Sequence, residues 1–193
     1  MGKRIFFLLA LCFGYSIFYA QCNYAVNGVD SIDSTYSVIM PPISTGLLIP
    51  SDFETVDGIK IVEESKVIFA FSEDDKSRII SLFMIIGALE REYLTIEVGE
   101  NVLLAFADST VVGLMNYPNK GTFDKSTNMR IYQHTTLLPF DIYYKFVQSD
   151  LIGIRIRYKD KKRDIVISPE QSEKIKKYLQ CLGEAIGLYP LAP

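Results

Sequence analysis

Two periods of hydrophobic residues run along the chain, and they divide it. From Ile59 to Ile167 the apolar positions recur close to every second residue, as in half-buried strands. "KVIFAF" places Val67, Phe69 and Phe71 on one face, and "NVLLAFA" does the same with Val102, Leu104 and Phe106. "ADST" then turns the chain into "VVGLMN", which predicts a hairpin. The clearest alternation is "IGIRIRYK": Ile152, Ile154, Ile156 and Tyr158 are expected to face inward, and Arg155, Arg157 and Lys159 outward. A loop at "KDKKRD" returns into "IVI". "RIISLFMIIGAL", residues 78 to 89, is apolar at both parities. Its isoleucines and Gly87 favour a central strand covered on both faces over a buried helix.

After Ile167 the period changes. In "SPEQ", Ser168 caps, Pro169 suits the first helical position and Gln171 completes a capping-box spacing, so a helix is predicted over 169–187. Gly187 permits the left-handed conformation that ends it. On a wheel of 100° per residue, Ile175, Leu179, Leu182 and Ile186 form an apolar stripe, which the open side of the sheet would cover. Cys181 falls with the charged positions on the other side.

Before Ile59 the pattern is weaker. Residues 21–58 are rich in Ser, Thr, Asp and Pro, with a break at "MPPISTG" and a turn at "VDG". They read as an irregular arm with one or two short strands. Residues 188–193 read as a tail. The expected fold class is α+β, mainly β: an antiparallel sheet or partly closed barrel, with one C-terminal helix as its cap. The order of elements is similar to that of a pleckstrin-homology-like barrel, and a sheet with one face covered is equally allowed. Element order confers no function.

The first twenty residues carry a different signal. Lys3 and Arg4 precede an apolar run from Ile5 to Tyr19, as in an export signal cleaved after Ala20. The run is short of the roughly 20 residues that span a bilayer. An uncleaved anchor is the alternative; Cys12 after Leu11 and Cys22 after Gln21 are poor acylation candidates. Removing this segment takes away two positive charges and shifts the net charge from −3 to −5, which disfavours nucleic acid as a partner. It also leaves two of three cysteines, Cys22 and Cys181, near the ends of the mature chain. In an oxidising compartment they can form a disulfide. Two unpaired thiols are the alternative.

"FYAQ" followed by "NVLLAFADSTVVGLMN", "LIGIRIRYKDKKRDIVI" and "SEKIKKYLQCL" resembles a loose group of uncharacterised secreted Gram-negative bacterial proteins, in which hairpins precede a cysteine-containing helix. The resemblance covers the last half of the chain. It implies a periplasmic or extracellular location and carries no established activity, so no functional residue is transferred.

Candidate chemistry is sparse. His134, in "IYQHTT", is the sole histidine, so a Ser-His-Asp or Cys-His arrangement would have to use it. There is no G-x-S-x-G elbow, no C-x-x-C and no glycine-rich phosphate loop. The acidic runs Glu63–Glu64, Glu73–Asp75 and Glu90/Glu92 lack a calcium-loop pattern, and "SEDDKS" reads as a solvated turn. No cofactor or metal is expected. Two surface features remain. Arg155, Arg157, Lys159, Lys161, Lys162 and Arg163 form a basic cluster that could meet an anionic head group, an acidic glycan or an acidic protein. Phe140, Tyr143, Tyr144 and Phe146 in "LLPFDIYYKF" could form an aromatic contact surface, with core filling as the commoner role of such residues. The leading expectation is a non-catalytic interaction or accessory module. A barrel holding a small apolar ligand comes second, and a hydrolase centred on His134 third.

Overall fold

In the computed structural model, residues 22–188 are described apart from 55 and 75–78. The expected export signal at 1–20 lies outside the described residues, as does all of the tail beyond Leu188. The strands are β1 (Val26–Val29), β2 (Thr35–Ile39), β3 (Ile43–Ser44), β4 (Leu48–Pro50), β5 (Ile61–Glu63), β6 (Ser65–Asp74), β7 (Ile79–Glu90), β8 (Gly99–Phe106), β9 (Val111–Asn116), β10 (Thr122–Asp124), β11 (Met129–Leu137), β12 (Leu151–Arg157) and β13 (Lys162–Val166). Among the described residues two helices accompany them, α1 (Phe140–Gln148) and α2 (Pro169–Ala185).

All pairings are antiparallel, and the main sheet runs β1-β2-β6-β7-β11-β9-β8-β12-β13, with β3 beside β6 and β10 beside β11. β4 and β5 form a separate hairpin. The expected antiparallel sheet is found, and it does not close: β1 and β13 are its unjoined ends. It nevertheless curves. Residues of inward parity on β2, β6, β7, β8, β9, β11, β12 and β13 all contribute to one core, together with Tyr143, Phe146, Ile175, Leu179 and Leu182 of the helices. The fold is mainly β, and helix α2 packs against β2, β3, β6 and β12 on the side the sheet leaves open.

Local signals account for most of this. Val67, Phe69 and Phe71 are buried, as are Val102, Leu104 and Phe106, and β8 turns into β9 as the alternation predicts. Residues 79–90 form the central strand β7. Its inward face is sealed but its outer face is only half covered, so the expected burial on both faces is not found. The capping box at Ser168 and Gln171 forms as the sequence indicates, with Ser168 Oγ accepting from the Gln171 amide at 3.2 Å. Gly187 takes φ +69°, the left-handed conformation expected after the helix.

Four expectations change. The described residues of 21–58 hold four strands, three of which extend the main sheet, because the ten-residue β6 offers an unpaired edge along which β2 and β3 line up in turn and β1 then pairs with β2. Ile152 is exposed although Ile154, Ile156 and Tyr158 are buried. The register against β8 slips between Leu151 and Gly153, and this bulge inverts parity so that Leu151 faces the core. Within the stretch read as strands, residues 140–148 form helix α1, started by Pro139. Cys181, placed by the wheel among exposed positions, is 5% exposed because Cys22 is bonded to it. The 159-residue separation is closed by that disulfide, and Tyr24 donates to the Cys181 carbonyl at 3.1 Å beside it.

Candidate functional site

Strand parity collects polar groups at one end of the concave face. Along β7 the inward positions are Leu82, Met84, Ile86, Ala88 and then Glu90. On β11 they are Tyr132, His134 and Thr136, and on β9 Leu114 and Asn116. The inward row of β12 continues to Tyr158, and Arg163 on β13 shares the parity of Ile165. Each strand thus ends its apolar row with a side chain that must find a partner inside.

The partners form one chain. Arg163 donates from Nε to Glu90 Oε1 at 2.5 Å and from Nη2 to Glu90 Oε2 at 2.9 Å, and also contacts Glu64. Tyr158 donates its hydroxyl to Glu90 Oε1 at 3.0 Å. His134 Nε2 lies 3.1 Å from the Tyr158 oxygen, and Asn116 Nδ2 lies 3.0 Å from His134 Nδ1. The directions are fixed by the carboxylate, which only accepts. Tyr158 spends its proton on Glu90, so His134 Nε2–H donates to Tyr158, and Nδ1 accepts from Asn116. Asn116 Oδ1 is left without a hydrogen-bond partner among the described residues.

Electrostatics follow from burial. His134 is 0% exposed, and its pKa falls from 6.5 to about 4. Desolvation is the main cause, the Arg163 charge adds to it, and Glu90 opposes it. Burial and then Glu90 push the Tyr158 hydroxyl well above its ordinary value. A neutral imidazole held between Asn116 and Tyr158, with no Ser or Cys hydrogen-bonded to it among the described residues, lacks the carboxylate–imidazole–nucleophile order of a hydrolytic triad. The arrangement specifies core geometry and the join between β13 and the end of β7. Among the described residues, no three His, Cys, Asp or Glu side chains are grouped to hold a metal ion. No helix there is long and apolar enough to cross a membrane, a statement that says nothing of strands.

The basic cluster is divided by this chain. Arg163 turns inward to Glu90 and Glu64, while Lys161 approaches Glu90 at 3.9 Å. Arg155 is paired with Asp164 at 2.5 and 2.8 Å. Arg157, Lys159 and Lys162 are exposed, and Arg157 and Lys162 are direct cross-strand neighbours. The aromatic segment is divided as well. Tyr143 and Phe146 are buried, Phe146 packing edge-on to Phe69 and Phe106, and Tyr144 is half-buried against Tyr143. Only Phe140 of the four is exposed, so most of this group fills the core.

Cavities lie on the outer surface. A groove of about 550 Å³ runs between β5 and the outer faces of β6, β7 and β11, lined in part by Ile61, Leu89 and Ile131. A charged pocket of about 190 Å³ adjoins it over Glu64, Glu90 and Arg163. A depression of about 320 Å³ lies on the outer face of β8, β9, β12 and β13. No protein-family model, curated protein or solved structure matches the chain.

Sequence reasoning passed over Asn116 and the inward roles of Glu90 and Arg163. A signal was present: Glu90 is in phase with Leu82, Met84, Ile86 and Ala88, and Arg163 with Ile165. A charge at core parity is a buried pair in waiting.

Proposed function

We propose that the protein is an exported, non-catalytic interaction module that works through the outer surface of its sheet. The observation that carries this reading is the state of the interior: the concave face is filled by Phe69, Phe106, Phe146, Tyr132 and Tyr143, and its single histidine is sealed within a hydrogen-bonded chain. The hydrolase reading loses support because His134 offers no surface to a substrate. The apolar-ligand barrel loses support because the ring-packed core occupies the space such a ligand would take. Outside, Ile61, Ile131, Val111 and Val166 stand exposed beside open grooves. Export is supported by the charged and apolar N-terminal pattern and by the Cys22–Cys181 disulfide, a bond that persists in oxidising compartments.

The test is native and denaturing mass spectrometry, without reductant, on protein recovered from its own cells, followed by mapping of chemical cross-links. A denatured chain beginning at Gln21, with added mass in the native spectrum and cross-links on the outer face, is the expected result. A chain retaining Met1 removes export. Turnover of any substrate by the parent protein but not by His134→Gln removes the non-catalytic reading.

A further inference from the structure

The geometry points to the outer face of β12 and β13 as a docking surface for an anionic phospholipid bilayer, an assignment that rests on the interaction-module reading and names its partner. The first observation is a row of like charges. Arg157 and Lys162 sit directly opposite each other, and Lys159 and Lys161 lie in the turn that joins their strands. Like charges at facing positions of an antiparallel pair disfavour the sheet unless an anion lies between them. The nearby acids offer little relief: Asp164 is engaged by both Nε and Nη2 of Arg155, leaving Asp160 in the turn itself. Lys161 reaches Glu90 at 3.9 Å, a carboxylate already bonded by Arg163, and Lys162 shares Asp164 with Arg155, so the acids near this tip are committed to other cations and the tip keeps a net positive charge.

The second observation is what shares the face. The row Val166, Gly153, Ala105 and Val111 crosses four strands by register, and its two outer members are 80% and 63% exposed. Gly153 has no side chain and Ala105 a short one, so the row is concave, forming the floor of the 320 Å³ depression. The bulge that exposes Ile152 adds a third aliphatic side chain at this end. From Gly153 to Arg157 the strand advances about 13 Å. Aliphatic surface and a cationic row at that spacing match the two layers of a bilayer interface, acyl carbon beneath and phosphate above. A soluble phosphate or an acidic glycan would use the cations alone and leave the aliphatic row in water.

The experiment is co-sedimentation of the exported chain with vesicles of pure phosphatidylcholine and with vesicles containing phosphatidylglycerol. Binding to the second alone, weakening with salt, is expected. Replacing Arg157 and Lys162 by serine should lower partitioning about 25-fold, since each basic residue near an anionic surface contributes about a fivefold gain. Val166→Asp, which keeps every cation, should also abolish binding; circular dichroism confirms that each variant is folded. Equal binding to both vesicle types, no binding to either, displacement by equimolar inorganic phosphate, or full retention of binding in Val166→Asp overturns the assignment. Such a failure leaves the module reading standing wherever cross-links map to another part of the outer face, whereas His134-dependent turnover refutes that reading and not the vesicle result.

Discussion

Protonation of His134 should be the main acid-labile point of the core. Its pKa falls from 6.5 to about 4 because burial strips water from the imidazolium and Arg163 repels it, against partial compensation by Glu90. The folded value lies below the unfolded one, so the unfolded chain takes up the proton first as pH falls. The contribution to stability is therefore fully present above pH 6.5 and is lost as pH falls toward 4. At about 1.4 kcal/mol per tenfold change in proton affinity, the loss comes to about 3 kcal/mol. Geometry gives the same sign: a protonated Nδ1 would turn its hydrogen toward the Asn116 amide, which already donates there. The assay is urea unfolding followed by far-ultraviolet circular dichroism between pH 7 and pH 4, with His134→Gln as the comparison. Glutamine can still donate to Tyr158 but takes up no proton. Exposed carboxylates, such as Asp108 held down at about 2 by its hydrogen bond from Lys145, affect both proteins alike. The parent should lose about 3 kcal/mol of its advantage over the variant across that range. A constant difference between the two curves would refute the reasoning.

Further outcomes follow from single contacts. Replacing Cys22 and Cys181 together by serine should cost about 5 kcal/mol in the chain-entropy treatment of a loop this long, read as a lower urea midpoint; a change below about 1 kcal/mol would mean that packing of the N-terminal arm already restrains the chain. Arg163→Met should destabilise by about 3–5 kcal/mol, because Glu90, 1% exposed, loses both guanidinium bonds. Combining it with Glu90→Gln should recover part of that loss, and no recovery would place the cost elsewhere. Gly183→Ala should cost about 1–3 kcal/mol, since the new methyl group meets the Tyr143 hydroxyl that donates to the Leu179 carbonyl at 3.0 Å. An unchanged thermal midpoint would show that α1 yields to it.

The sequence by itself determined the elements whose rules are local. Alternation in "KVIFAF" and "NVLLAFA" fixes which side chains face the core, since successive strand residues point to opposite faces. "SPEQ" starts α2 for reasons contained within four residues, and "ADST" bends one hairpin. Tertiary structure decided what depends on distant partners. Whether β1 and β2 would be strands at all depends on the edge of β6, some thirty residues away, because short segments of weak pattern gain their hydrogen bonds only by joining a sheet. The inversion at Ile152 needed the pairing with β8, since a bulge is a property of two strands and not of one. Burial of Cys181 needed Cys22 to arrive from the far end of the chain. The basic run from Arg155 to Arg163 is one feature in the sequence and two in space. Strand parity sends Arg163 inward to a carboxylate seventy-three positions away, where low solvent access demands a partner, and leaves Arg157 and Lys162 facing each other outside.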